Sequence, residues 1–222
     1  MGNQSFIAVI GDIKDSRRLE NRNKTQETFK GVLDHINNKY QANIASNFMI
    51  TLGDSFQGLL HPEADLFAIL FELELAMSPV DFRFGIGVGQ ITTTINPTNS
   101  MEMDGPAYHL AREMIEQIED SERKHHQPET NTLIRLQKDG SNVEIALNTI
   151  LSLTTALKSK WTDRQKEVLY AYVNQAENQY HAAEALGIGQ SSVNKVLKAT
   201  SYYNYKNALQ QATRLLRGTI TC

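Results

Sequence analysis

The residues whose types and spacing could do chemistry are two aspartates. Asp12 follows the apolar run Phe6-Ile-Ala-Val-Ile10 and Gly11, and Asp54 comes 42 residues later in Leu52-Gly53-Asp54-Ser55. Two carboxylates held close together repel, and a bound divalent cation is the usual means of keeping both ionised. Mg²⁺ on such a pair would take substrate phosphates as further ligands. The segment after Asp12, Ile13-Lys14-Asp15-Ser16-Arg17, leads towards a helix, so its backbone N–H groups can receive phosphate oxygens. Lys14, Arg17 and Arg18 add positive charge there. Each aspartate also has an ordinary explanation, as turn chemistry at a hairpin tip or as a cap on the loop after a strand. The pair therefore matters only if the fold brings both to one place.

A second constellation lies near the other end of the chain. Trp161-Thr-Asp-Arg-Gln165 carries Thr162 at an N-cap and Gln165 at the capping-box position, which predicts a helix through Tyr172. Gln179 to Leu186 predicts a second helix closed by Gly187 in a left-handed turn, and Ser191 to Ala199 a third. Ala183 is small where the two helices cross, while Ile188, Val193 and Val196 recur where the pair must bury apolar surface. This spacing resembles the helix-turn-helix of sigma-factor region 4 and of many bacterial regulators. The exposed side of its last helix would carry Gln190, Ser191, Ser192, Asn194, Lys195 and Lys198. Short amides and hydroxyls can read base edges while lysines meet phosphates of double-stranded DNA. Tyr202, Tyr203 and Tyr205 precede a final helix and are expected as core or dimer contacts.

The elements that must position the aspartates follow from periodicity. Phe6 to Ile10 reads as a central strand buried on both faces. Phe29, Val32, Leu33, Ile36 and Tyr40 mark an amphipathic helix over 25–40. Phe48 to Leu52 and Ser55 to Leu60 form a hairpin about the two-residue turn Gly53-Asp54. An apolar helix spans 64–77, β character returns over 82–94, and Pro106 opens a helix fraying near Lys124 to Pro128. Thr132 to Leu136 closes the order βαββαβαβ. Right-handed crossovers then favour a ferredoxin-like core with the hairpin in the middle of the sheet, helices on one face, and an extra helix and strand. Gly85, Gly87 and Gly89 run into the β-rich Gln90-Ile-Thr-Thr-Thr, which excludes a Rossmann turn and leaves close packing of a helix on a strand. The fold class is α+β, with a ferredoxin-like domain at 1–142 and an all-α domain at 143–222 that contains the helix-turn-helix at about 161–199.

Charge is divided in the same way. From Leu157 onward nine Lys or Arg face four Asp or Glu, whereas the remainder has 13 against 21. A basic module after an acidic one suggests that the second part meets a polyanion. The chain has no apolar run long enough for a membrane span and no signal-peptide pattern at its start, so a cytoplasmic protein is expected. Its only cysteine, Cys222, allows no intrachain disulfide. The histidines show no ligand spacing.

Four segments carry a resemblance: Gly11-Asp12-Ile13, Leu52-Gly53-Asp54-Ser55, Phe84-Gly-Ile-Gly-Val-Gly89 and Asp104-Gly-Pro-Ala-Tyr-His-Leu-Ala-Arg112. Their order resembles the catalytic domain of class III nucleotidyl cyclases from about Ser5 to Leu136, and the whole chain resembles the SatD family, which joins such a domain to a helix-turn-helix. The resemblance implies two metal ions, Mg²⁺ or Mn²⁺, on Asp12 and Asp54 around a nucleoside triphosphate, with the carbonyl of Ile13 as a further ligand; Ile13, Lys14, Ser16 and Arg17 of the following segment are the residues expected to contact the nucleotide. Arg112 or His109 would act at the transition state, although the cyclase pattern there is out of register. Ile50 stands where cyclases place a base-reading side chain. The resemblance also implies a homodimer. The leading expectation is a DNA-binding transcriptional regulator that senses a nucleotide or metal. The alternatives are a metal-dependent cyclase or nucleotidyltransferase, and a scaffold that has lost both ligands.

Overall fold

A computed structural model of the chain describes residues 4–16, 21–51, 53–125, 130–138 and 141–220. The elements run β1 (Phe6–Ile13), α1 (Arg22–Lys39), β2 (Ile44–Ile50), β3 (Ser55–Leu60), α2 (Leu66–Ala76), β4 (Phe82–Gly89), α3 (Pro106–His125), β5 (Thr132–Leu136), α4 (Ser141–Lys158), α5 (Asp163–Asn174), α6 (Gln179–Leu186), α7 (Gln190–Ala199) and α8 (Tyr202–Ile220). The sheet order is β2-β3-β1-β4-β5, antiparallel except for β5, which runs parallel to β4. The first four strands make a ferredoxin-like unit, and a helical region follows β5.

The hairpin β2–β3 flanks the sheet and is not in its middle: β3 pairs with β1, and β2 takes the edge. β2 ends at Ile50, the Thr51 N–H donates to the Ser55 carbonyl at 2.8 Å, and Leu52, expected as the end of the strand, lies outside the described residues. Gly53 does have the expected positive φ, +65°. β4 stops at Gly89, so β character does not continue to Thr94. Beyond it, the Ala107 N–H donates to the Gln90 carbonyl and the Thr92 N–H to that of Asp104, which ties this segment to the start of α3 instead of to a neighbouring strand.

Successive residues of β1 point to opposite faces. Ile7, Val9 and Ile13 join Phe29, Leu33 and Ile36 of α1 in one core, while Phe6 and Ala8 join Ala107, Tyr108 and Ala111 of α3 in another. Helices therefore cover both faces, with α3 on the second. Side chains on β4 would hold α3 away: a Cβ at Gly85 would lie 2.1 Å from the Ala111 carbonyl oxygen and one at Gly87 2.0 Å from that of Ala107. Gly85 and Gly87 thus permit the expected helix packing, whereas a Cβ at Gly89 would first meet the Gln137 side chain, at 2.6 Å.

Helix α2 is apolar all round, as a helix buried on every side must be. Leu66, Phe67, Ile69, Leu70, Phe71, Leu73 and Leu75 are all buried. The Phe71 ring meets Tyr205 at 4.9 Å, Trp161 at 6.1 Å and Tyr202 at 6.4 Å between centroids, so the core of the sheet continues into the helical region. Two carboxylates on α2 are compensated. Fully buried Glu72 receives Lys39 Nζ at 2.7 Å and the Tyr40 hydroxyl at 2.6 Å, and Lys39 also reaches Asn174 of α5 at 3.2 Å. Glu74 receives Lys158 of α4 at 2.5 Å and Asn131 Nδ2 at 2.7 Å.

In the helical region Thr162 and Gln165 form the expected reciprocal cap of α5, with bonds of 3.2 and 2.9 Å. Gly187 closes α6 at φ 62°, ψ 34°, conformational space a side chain resists, and the Ile188 N–H reaches back to the Ala183 carbonyl at 3.0 Å. The tyrosines lie in the first turn of α8 and do not precede it; Tyr202 and Tyr205 are core residues and Tyr203 is exposed.

Candidate functional site

The antiparallel pairing of β1 places Asp12 opposite both Ser55 of β3 and Arg83 of β4, so these three side chains share the face on which α3 lies. Asp54 joins them from the hairpin turn: its carbonyl accepts the Ile13 N–H at 3.2 Å, and its carboxylate accepts the Ser16 hydroxyl. The fold thus brings Asp12 and Asp54 to one end of the sheet. Ser16 is buried there and attached to Asp54.

Sequence reasoning missed two members of this site. Arg83 Nη1 donates to Asp12 Oδ2 at 2.7 Å, and its Nη2 lies 2.6 Å from Oε2 of Glu122 on α3. Lys14 Nζ lies 2.6 Å from the other oxygen of Glu122. Arg83 and Glu122 are 39 positions apart and belong to elements that periodicity alone does not bring together. One signal was available: Arg83 interrupts the otherwise apolar Phe82-Arg-Phe-Gly-Ile86, and a charge within a central strand needs a partner.

The electrostatics follow from burial and this network. Desolvation pushes the Asp12 carboxyl above its ordinary range, the Arg83 guanidinium opposes that, and the charges of Glu119 and Asp54 reinforce it. Burial also works to raise Glu122, but the hydrogen bonds and charges of Lys14 and Arg83 prevail and hold it below. Asp12 Oδ1 is buried without a hydrogen-bond partner. An orphaned anionic oxygen beside a second carboxylate fits a divalent cation, which would relieve both the missing bond and the mutual repulsion. Among the described residues no group of three or more His, Cys, Asp or Glu is arranged to hold a metal, so backbone carbonyls, phosphate oxygens or water would have to complete any coordination.

The other residues expected at this site fall in different places. The Ile13 side chain is in the core and its N–H is taken by Asp54, while the Lys14 N–H is taken by the Asp81 carbonyl at 2.8 Å, so neither amide is free to receive phosphate. Arg17 lies outside the described residues, as do Arg18 and Cys222. Arg112 is exposed, and exposed His109 pairs with Asp104 at 3.0 Å. At about 1.5 Å per residue they sit roughly 15–20 Å along α3 from Glu122, so a single chain does not bring them to Asp12. Ile50 is half-buried against the core.

On α7, Ser191, Ser192, Lys195 and Lys198 are exposed, while Val193 and Leu197 face inward. Asn194 is half-buried. Gln190 is partly buried and its Nε2 donates to Gln179 Oε1 at 2.5 Å, so it spans the two helices instead of facing outward. Among the described residues Lys195 and Lys198 form no ion pair with a carboxylate.

This arrangement defines a ferredoxin-like α+β protein with a carboxylate pair at the end of its sheet and a helical region packed on one of its helices. The chain belongs to the SatD family, whose model matches residues 6–216. No curated protein matches it. Among solved structures it is similar, at 14% identity and a TM-score of 0.39, to a bacterial light-regulated adenylyl cyclase over 60% of this chain and 77% of that one. It is also similar, at 11% identity and a TM-score of 0.27, to a regulator of polyketide synthase expression from Bifidobacterium adolescentis over 99% of this chain and 87% of that one. Likeness at that level carries no argument about function. Among the described residues no helix is long and apolar enough to cross a membrane.

Proposed function

We propose that the chain is a DNA-binding transcriptional regulator whose ferredoxin-like domain senses a nucleotide or a divalent metal. The carrying observation is the surface of α7: Ser191, Lys195 and Lys198 recur at i, i+4 and i+7 on one exposed face, with no carboxylate neutralising the lysines among the described residues. Behind them Val193 and Leu197 seat α7 on its neighbours, and Gly187 sets the turn from α6. Such a helix fits a major groove, with lysines on phosphates and serines at base edges. One such unit binds weakly, so the reading includes a homodimer on a paired site. It also places the protein in the cytoplasm.

The test is fluorescence anisotropy of labelled duplex DNA, titrated at several salt concentrations. Salt-sensitive binding lost in Lys195→Ala plus Lys198→Ala supports the reading. Binding unchanged by that pair, or absent at low salt, rejects it.

The unpartnered Asp12 Oδ1 favours a second reading, a metal-dependent cyclase or nucleotidyltransferase. Mg²⁺ or Mn²⁺ on Asp12 and Asp54 would stabilise the charge of a transferring phosphoryl group. Asp12 and Asp54 would hold the ion, Ser16 would fix the orientation of Asp54, and Arg83 would have to exchange Asp12 for another anion. Pyrophosphate release that needs metal and vanishes in Asp54→Ala would establish this activity.

A further inference from the structure

Away from the carboxylate pair, a concave feature chemically suited to a small ligand lies where the sheet meets the helical region. This cleft has a volume of about 190 Å³ and draws on Lys14 after β1, Phe71 and Glu74 of α2, Asp81 before β4 and Phe82 at its start, Lys158 of α4, Trp161 before α5 and Lys166 within it. Its inner wall is aromatic, and three lysines and two carboxylates also line it. Phe71, Phe82 and Trp161 are almost wholly buried, and the ring of Trp161 is fixed by its Nε1–H bond to the Thr200 carbonyl at 3.0 Å. The space equals about six water molecules at roughly 30 Å³ each. It holds one flat ring and lies below the roughly 300 Å³ at which pockets for drug-sized ligands begin.

The three lysines differ in how firmly they are engaged. Lys158 holds both oxygens of Glu74, at 2.5 and 2.6 Å, and Lys14 holds Glu122 at 2.6 Å. Among the described residues, the carboxylate paired with Lys166 is that of Asp81, at 3.5 Å, whose side chain is 70% exposed. A long ion pair to a solvated carboxylate stabilises little and exchanges readily. Lys166 is therefore the cation that an incoming acidic group can take over, at the mouth of an aromatic slot.

We propose that this cleft is a metal-independent binding site for a small aromatic anion, with its ring against Phe71 and Trp161 and one phosphate or carboxylate on Lys166. The site is separate from Asp12 and Asp54, and its occupant contacts both the strand end that carries the carboxylates and the first helix of the helical region. A ligand there has a physical route to influence both.

Trp161 is the only tryptophan, so its emission reports on the cleft in the intact chain. The probes are adenosine 5′-monophosphate, phenyl phosphate and benzoate, titrated in the presence of a chelator, with neutral adenosine as control. The expected result is a saturable change in emission with at least one acidic probe. Its affinity should fall about tenfold in Lys166→Ala, rise about threefold in Asp81→Ala, which removes the competing carboxylate, and stay within about twofold in Asp54→Ala. Preference for the monophosphate assigns a nucleotide, and preference for phenyl phosphate or benzoate a simple aromatic acid. Should Lys166→Ala lose its circular dichroism spectrum, Asp81→Ala at an exposed position carries the decision alone. The proposal is overturned by emission that stays unsaturated with every probe to millimolar concentration, by adenosine binding as tightly as its monophosphate, or by affinity that Asp54→Ala abolishes and Lys166→Ala or Asp81→Ala leaves unchanged.

Discussion

The end of the sheet and the outer face of α7 both carry charges suited to binding, but they hold them differently. At the sheet end Asp12, Arg83, Glu122 and Lys14 are already paired with one another except at Asp12 Oδ1, with distances of 2.6–2.7 Å and side chains about one-sixth exposed. On α7 the lysines face water. A ligand at the first place must exchange partners and recover the desolvation already invested there. A polyanion at the second displaces only counterions. On the proposed reading the first region would favour selectivity, since few ligands repay the exchange, and the second would favour contact with a phosphate backbone.

Four variants break or sharpen this contrast. Lys195→Ala plus Lys198→Ala has the largest expected effect: on the order of a hundredfold weaker duplex binding at moderate salt, with the slope of log affinity against log salt falling by about two, read by anisotropy. Arg83→Met makes the sheet end resemble α7 by leaving Asp12 and Glu122 without their guanidinium. Urea denaturation should show a loss of about 2 kcal/mol, since a partner is removed from largely buried carboxylates. Mn²⁺ binding followed by calorimetry should become about tenfold tighter, because the ion no longer competes with an internal cation. Thr162→Ala removes the cap that starts α5 and should cost about 1 kcal/mol in thermal unfolding, with little change in intrinsic metal affinity. Gln190→Ala should weaken duplex binding less than about threefold, because that side chain is engaged by Gln179, whereas Ser191 is open to a base edge.

What the sequence disclosed depended on how local the signal was. The alternation of β and α elements, the capping box at Thr162 and the left-handed Gly187 are written within a few residues, and each is found where its pattern places it. Gly85 and Gly87 were legible as packing positions because the β-rich run after them forbade a turn into a helix. The partner of Asp12 was not legible in the same way. Arg83 is 71 positions away, and its engagement depends on the register between β1 and β4, a product of the whole sheet. The position of the hairpin failed for a related reason: two adjacent strands look alike whether they fill the middle of a sheet or one side, and only the pairing of β3 with β1 decides. The burial of α2 on all sides was visible in its composition, but not which elements would cover it.

That helix has a practical meaning for anyone who wishes to divide the protein. Phe71 is covered by Trp161, Tyr202 and Tyr205, and Glu74 is neutralised by Lys158, all of which come after residue 140. A chain ending at 140 would present an uncovered aromatic surface beside an unmatched carboxylate. Sticky surfaces of that kind draw copies together. The ferredoxin-like half prepared alone should therefore collect in the insoluble fraction, while the intact chain stays dispersed.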